Sequence, residues 1–328
     1  MSNEFKLAVI GTGSIGYRHM QVLRDLGVQV VAIPVRAERR QELEAQGWTC
    51  AGSLRDAADL GASAVVVATD TRRHVQDAKE ALCVGMHILV EKPLAVSAVD
   101  AQALPSIASK YGTRIAVGCN LRFDKGLQRF RQRCDEIGDV HGVRIECRSY
   151  LPDWRPGRNH HVGYWARPDE GGVLRDLIHE VDYALWLFGV PEMVFGAMRP
   201  GKRLGIEAEE YAEGGWTTAP GAVVSLALDY LTRRAQRTIR AWGAEGEMKY
   251  DLVARKLRIQ FASGKTEEEV FPESPNDCYV AQAKEFLRFA QEGTSTVIAK
   301  AEDGIAALAV CDAWRRSSQT RSMEKVVQ

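Results

Sequence analysis

Gly11, Gly13 and Gly16 stand as G-x-G-x-x-G directly after the apolar run Lys6 to Ile10 and directly before a helical pattern. The spacing alone is a weak signal, but a strand before it and a helix after it give it meaning. The first glycine makes a tight turn, the second lets a pyrophosphate approach the backbone, and the third lets helix pack against strand. Amides at the start of the helix then face the phosphates. Gly11, Thr12, Gly13, Ser14, Ile15 and Gly16 are therefore the expected cradle of a dinucleotide. A glycine-rich turn that holds no ligand is the plainer alternative.

The chain around this turn reads as repeated βα units. Strands are expected at Lys6 to Ile10, Gln29 to Ile33, Ala64 to Ala68, His87 to Val90 and Arg114 to Gly118, with amphipathic stretches between them. Ile15, His19, Val22, Leu23 and Leu26 recur at helical spacing and make one buried stripe. Residues 1–119 are thus expected to form an α/β domain, a Rossmann-type doubly wound parallel sheet. Past Gly118 the texture changes. One helix near Leu127 to Ile137 precedes short runs at Val140 to Tyr150, Ala222 to Leu231, Thr238 to Gly243, Glu247 to Asp251, Lys256 to Phe261 and Thr266 to Phe271. Adjacent strands without crossover helices imply that residues 120–328 form an α+β domain on a large, mainly antiparallel, open-faced sheet. Two helices, Asp277 to Gln291 and Ala301 to Arg316, close the chain, and 328 residues suffice for two domains.

An NAD site would place an acid about 20 residues beyond the glycines, at the end of the second strand, to hold the ribose hydroxyls. Here that place reads Pro34, Val35, Arg36, with Arg39 and Arg40 close behind. A guanidinium neutralises the extra phosphate of NADP through charge-assisted hydrogen bonds. NADP(H) is therefore favoured. Glu38 keeps NAD(H) open, and a solvated helix face is the alternative use of the arginines.

Composition narrows the partners. Lys and Arg number 43, as do Asp and Glu, so bulk charge recruits neither nucleic acid nor an anionic membrane. No run of about 18 apolar residues exists, and the first apolar stretch lacks the flanks of an export signal. The 7 cysteines are odd in number and never spaced C-x-x-C, which argues against a disulfide framework or a zinc cage. A cytoplasmic protein without a metal is expected.

Glu91, Lys92 and Pro93 follow the His87 to Val90 strand, so Lys92 projects from the carboxyl end of a parallel strand, where open α/β sheets place their ligands. An ammonium beside a developing alkoxide supplies a proton and positive charge. A surface salt bridge with Glu91 is the alternative. At this point the sequence resembles the Gfo/Idh/MocA oxidoreductases, the glucose-fructose oxidoreductase and inositol dehydrogenase group. Five segments carry the resemblance in order: GTGSIG from Gly11, TDTRRH from Thr69, EKP from Glu91, NLRF from Asn120, and the glycine pair with H-x-x-D between Gly171 and Asp182. The resemblance implies hydride transfer between a nicotinamide cofactor and a hydroxyl or carbonyl of a sugar, cyclitol or related molecule. It implies a Lys92 that touches the reacting oxygen, a cis bond to Pro93, and a homodimer or homotetramer. It adds Thr69, Thr71, His74, Glu91, Lys92 and Asn120 to the cofactor-binding residues and Arg122 to the substrate-binding ones.

In the helix expected from Leu174, one stripe is apolar: Leu177, Ile178, Val181, Ala184, Leu185 and Phe188. Asp176, His179, Tyr183 and Trp186 fall on roughly the opposite face. Asp176 and His179 are three residues apart, so the carboxylate orients the imidazole or raises its basicity. His179 is the expected second proton-transfer group, Asp176 its partner and Tyr183 a substrate contact. The family places its Asp four residues before the His, and Arg175 occupies that position here, while Asp182 matches another family position. Which of Lys92 and His179 is the principal base stays open, and an incidental histidine on a solvated helix face is the alternative.

The segment Trp154 to Arg167 is irregular and long for a connection, a length that usually serves function. It holds Arg155, Arg158, His160, His161 and Arg167 with no acid, together with Trp154, Tyr164 and Trp165. Arginines beside aromatics suit a carboxylate or phosphate next to a ring. The expected substrate is therefore an anionic sugar derivative, a nucleotide-linked sugar or a sugar acid, met by Trp154, Arg155, Arg158, His161 and Tyr164. A basic loop without a substrate role is the alternative. Two further readings keep the same residues: a recycled cofactor in an epimerase or oxidoreductive glycosidase, and a non-catalytic dinucleotide sensor.

Overall fold

The computed structural model describes residues 5–154, 157 and 159–327. It divides into two compact units, Met1–Phe123 with Pro275–Ile305, and Asp124–Ser274 with Ala306–Gln328. In the first unit, β1 (Lys6–Ile10), β2 (Gln29–Ile33), β3 (Thr49–Cys50), β4 (Ala64–Val67), β5 (His87–Val90) and β6 (Ile115–Val117) pair in parallel in the order β6-β5-β4-β1-β2-β3. The short strand Ala299–Lys300 adds an antiparallel edge beside β6. β1, β4 and β5 are nearly continuous apolar runs, as strands covered on both faces must be. The chain winds outward from β1 in both directions, so the carboxyl ends of β1, β4 and β5 adjoin the switch in strand order where such sheets bind ligands.

The helix Pro275–Glu292 sends Cys278, Ala283, Phe286 and Phe289 into the same core as Leu7, Val9 and Phe123. The single cut expected at 119/120 is therefore not where the compact units part. An apolar helix face and the pairing of Ala299 with Val117 return a late segment to the first unit.

In the second unit, β7 (Val140–Arg148), β8 (Met193–Pro200), β9 (Glu209–Thr217), β10 (Val223–Asp229), β11 (Gln236–Gly243), β12 (Gly246–Asp251), β13 (Lys256–Phe261) and β14 (Thr266–Val270) run in the order β14-β13-β12-β11-β7-β10-β9-β8. Glu324–Lys325 extends this sheet beyond β8. Pairing is antiparallel except between β7 and β10. Alternation along β7 buries Val143, Ile145 and Cys147 and turns Arg144, Glu146 and Arg148 to the other face, where they pair with one another and with Glu213. β8 and β9 carry no strand signal in the sequence because glycines interrupt them. Those glycines make room: a Cβ at Gly196 would lie 1.8 Å from the Trp314 ring, and one at Gly214 would lie 2.8 Å from it. Among the described residues, no helix is long and apolar enough to cross a membrane.

Candidate active site

The glycine turn follows β1, and its three glycines are held differently. Gly11 sits at φ +86°, and a Cβ there would lie 2.5 Å from the Ala68 carbonyl oxygen; one at Gly16 would lie 1.8 Å from that of Gly11. Gly13 meets nothing within 4 Å among the described residues. Sterics thus fix the first and third positions and leave open space at the second, at the start of the helix Ser14–Asp25. That is the cradle a pyrophosphate requires, and these residues fit a dinucleotide.

Beside the turn lies a cleft of about 410 Å³ lined by Gly11, Thr12, Gly13, Arg36, Arg39, Thr69 and Arg73, among others. Arg36 directly precedes the helix Ala37–Ala45, makes no side-chain cap to it, and is exposed. Arg39 donates from Nε to the Thr12 carbonyl at 3.2 Å and covers the Tyr17 ring. Arg73 pairs with Asp77 at 2.9 Å, and the same buried carboxylate accepts the Thr69 hydroxyl at 2.7 Å. Arg73 and Asp77 are not among the residues expected from sequence, although they stand in and just after the Thr69 to His74 segment. Thr71 opens the next helix and is buried, and Asn120 is buried at the start of a short 3-10 turn.

The Glu91–Lys92–Pro93 segment leaves β5 with a cis bond between Lys92 and Pro93. The carboxylate of Glu91, one of the expected cofactor residues, meets His19 Nε2 at 2.7 Å and accepts the Lys92 amide at 3.2 Å. Burial opposes the charge on Glu91, but His19 and Lys92 outweigh it and hold the carboxyl below its ordinary pKa. His74 lies between two carbonyl oxygens, Nδ1 2.8 Å from Pro93 and Nε2 2.9 Å from Thr69. Burial pushes its pKa below the ordinary histidine value, with the two carbonyls pulling the other way. Arg122, expected at the substrate, is buried and pairs with Asp303 at 3.3 Å.

In the second unit, the helix expected from Leu174 is broken. Val173–Asp176 ends at Leu177, whose ψ is 31°, and Ile178–Phe188 continues. The preceding glycines are again steric necessities. A Cβ at Gly171 would lie 1.9 Å from the Tyr164 carbonyl oxygen, and Gly172, at φ +89°, has the Glu209 carboxylate 2.2 Å from where its Cβ would be. Buried Asp176 accepts the Tyr164 hydroxyl at 2.6 Å and the Tyr230 hydroxyl at 3.0 Å. Burial and the Asp176 charge push the Tyr230 phenol well above its ordinary pKa, so it remains a donor. His179 is half-buried on the first turn of the second helix. Tyr183, placed by helical spacing on the substrate face, is fully buried beside Glu180 and Arg237, which pair at 2.7 Å. Arg175 is buried too and donates to the Pro168 carbonyl at 3.2 Å.

The basic segment is more neutral than its sequence suggests. Arg167 pairs with Glu170 at 2.5 Å, just past the stretch that has no acid of its own. His160 and His161 face the Leu204 and Gly205 carbonyls at 3.2 and 3.1 Å. Trp154 donates to Ser149 Oγ at 2.8 Å and meets the Tyr230 ring edge-on at 5.4 Å, which ties it to the Asp176 cluster. Arg155 and Arg158 lie outside the described residues. Among the described residues, no three His, Cys, Asp or Glu groups are arranged to hold a metal ion.

Comparison with known proteins agrees with this architecture. Residues 5–119 match a model described as the oxidoreductase family, NAD-binding Rossmann fold, and residues 127–249 match the GFO/IDH/MocA C-terminal domain. Inositol 2-dehydrogenase of Rhizobium meliloti is 27% identical over 334 residues, 95% of this chain and 96% of its own. UDP-N-acetylglucosamine 3-dehydrogenase of Acidithiobacillus ferrooxidans is 25% identical over 290 residues, 86% of this chain and 87% of its own. In fold, a levoglucosan dehydrogenase in complex with NADH superposes with a TM-score of 0.88 over 99% of both chains at 20% identity. The two matched domains follow one another along most of the sequence and include the glycine turn, the EKP triplet and the Gly171 to Asp182 segment. The chain is therefore a member of the Gfo/Idh/MocA oxidoreductases, an NAD(P)-dependent dehydrogenase with an NAD-binding Rossmann domain.

Proposed function

We propose that this protein moves hydride between NADP(H) and a hydroxyl-bearing carbon of a sugar or cyclitol derivative, with Lys92 and His179 as its proton-transfer groups. The observation that carries this reading is topological. The glycine turn after β1, Thr69 after β4 and Lys92 after β5 leave the same carboxyl edge of three neighbouring parallel strands. The nicotinamide, when bound, accepts or supplies the hydride. In oxidation Lys92 Nζ, as the neutral amine, takes the substrate hydroxyl proton, and the ammonium so formed stabilises the alkoxide; in reduction the ammonium returns the proton. His179 is the second proton carrier and Asp176, whose carboxylate accepts the Tyr164 and Tyr230 hydroxyls, is its partner.

Three guanidinium groups around the cleft, Arg36, Arg39 and Arg73, favour NADP(H) over NAD(H). The anionic-substrate reading narrows to Arg155 and Arg158, since Arg167 has Glu170 and the two histidines have backbone carbonyls. The relative named for UDP-N-acetylglucosamine takes a sugar made anionic by its diphosphate, which favours this class. The open face of the second sheet is where a homodimer or homotetramer would form.

Fluorescence titration with NADPH and NADH tests the cofactor. Wild type should prefer NADPH, and R36E/R39E should weaken NADPH by about tenfold to a hundredfold while sparing NADH. Equal affinities in both proteins would remove the NADP(H) reading. For the substrate, R155E/R158E should raise the KM for UDP-N-acetylglucosamine and leave that for myo-inositol unmoved. A rise for neither ends the anion reading.

A further inference from the structure

Two buried histidines outside the proposed proton-transfer pair meet the two ends of one short segment. We infer that His19 and His74 are positioning residues that fix Glu91–Lys92–Pro93 from both sides; the catalytic meaning of this rests on the Lys92 reading above. His19 comes from the helix that follows β1, and His74 from the helix that follows β4. On the first side, His19 Nε2 meets Glu91 Oε1 at 2.7 Å, and the other oxygen of that carboxylate accepts the Lys92 amide at 3.2 Å. On the second side, His74 Nδ1 lies 2.8 Å from the carbonyl of Pro93. Its Nε2 lies 2.9 Å from the carbonyl of Thr69, which also lines the nucleotide cleft.

Each imidazole belongs to a residue only 1% exposed. A ring of this polarity is costly to bury unless it is hydrogen-bonded, and each ring has a nitrogen within 2.8 Å of an acceptor oxygen. In the neutral state of His74, the tautomer protonated at Nδ1 holds Pro93 and the other holds Thr69. The surroundings close the segment further. Gly118 leaves so little space that a Cβ there would lie 3.0 Å from the Glu91 backbone and carboxylate, and Tyr279 sets its ring edge on His19 at 5.6 Å. With its own amide and the next carbonyl both held, Lys92 projects from a fixed Cα, the condition a proton-transfer group needs when small misplacements are expensive.

The test reads the lysine itself. The whole protein, without added cofactor, is labelled with trace acetic anhydride at several pH values, and acetylation of Lys92 relative to exposed Lys110 is measured by mass spectrometry. H19F and H74F should each shift this ratio by about threefold or more, the change expected when a fixed amine moves in or out of its held position. H19Q, which keeps a donor near Nε2, and H74N, which keeps one near Nδ1, should return it toward wild type. If a Phe variant does not fold, H19N and H74Q replace it, since each keeps an amide at the wrong reach. An unchanged ratio in the folded variants overturns the inference, as does an equal shift in the conservative ones, which would mark a packing role alone. Turnover of myo-inositol by K92A separates the two readings. A shifted ratio with K92A at wild-type turnover keeps the positioning and ends the proton-transfer role, while an unshifted ratio with an inactive K92A does the reverse.

Discussion

The nucleotide cleft of the first unit and the Asp176 cluster of the second are built by different physics. In the cleft, backbone sterics decide. Gly11 and Gly16 occupy points where a single Cβ would meet a backbone carbonyl oxygen, that of Ala68 just past the end of β4 for Gly11 and that of Gly11, five residues back, for Gly16. Around Asp176, side chains decide. Two hydroxyls that the carboxylate accepts come from Tyr164 and Tyr230, 12 and 54 residues away. A site made by backbone sterics leaves a residue-type signature, glycine, that can be read directly. A site made by a distributed hydrogen-bond network leaves none until the sheet has brought its strands together.

The largest test of this contrast lies on the Lys92 side. K92A should lower turnover by about a hundredfold to ten-thousandfold, the usual worth of a positioned acid or base, and change NADPH affinity by less than about threefold. Equal losses in both would make Lys92 a cofactor residue instead. The next effect separates two glycines of one motif. G16A should abolish cooperative folding or dinucleotide binding, because the backbone of Gly11 has nowhere to move. G13A should fold normally, with Tm shifted by only a few degrees, about 1 kcal/mol or less, and should lose about tenfold or more in NADPH affinity as its methyl enters the phosphate approach. Similar behaviour of the two variants would end the claim that the first and third glycines serve the backbone and the second serves the ligand.

The same contrast explains what could be read in advance. β1, β2, β5 and β13 fall where the apolar and β-branched runs put them, to the residue. β8 and β9 are hidden because Gly196, Gly214 and Gly215 depress strand propensity; Gly196 and Gly214 give clearance to Trp314, on a helix a hundred residues on, and Gly215 lets the Val224 backbone approach. Periodicity puts His19 in a buried stripe, where it lies, but does not announce that it meets Glu91, 72 residues later. Helical spacing placed Tyr183 beside Asp176 and His179, and the break at Leu177 with the packing of Glu180 and Arg237 put it in the core. The basic character assigned to the Trp154 to Arg167 segment ended three residues short of its own neutralising acid, Glu170.

Smaller effects sharpen the comparison on the second unit. Y230F should destabilise the protein by about 1 to 3 kcal/mol in urea denaturation, since a buried carboxylate oxygen loses its donor. Y164F should cost less, because Tyr164 is only half-buried and water can replace its hydroxyl. Equal costs would show that the two hydroxyls are held in equally dry surroundings. A cost near zero for Y230F would show that Asp176 draws its support from elsewhere, and would bring the second unit closer in kind to the first.

The smallest expected effect is a pH dependence whose sign differs between the units. In the first, Glu91 is held below its ordinary pKa in the fold, so the charged carboxylate is the stabilising form. Its contribution is present above the ordinary carboxylate pKa, about 4.3, and is lost as pH falls through the lower folded value. In the second, burial pushes the Cys147 and Cys311 thiols up to about 12, so the neutral thiol is the stabilising form. Their contribution is present below the ordinary thiol value of 9.0 and is lost as pH rises toward about 12. Thermal melts across pH therefore carry two separable limbs. The Tm difference between wild type and E91Q should be widest near neutrality and shrink on the acid side, while C147A/C311A should flatten the alkaline side alone. An E91Q difference that stays constant through the acid range would mean that the fold uses the His19–Glu91 contact as a neutral hydrogen bond, and that Lys92 is held by geometry without help from that charge.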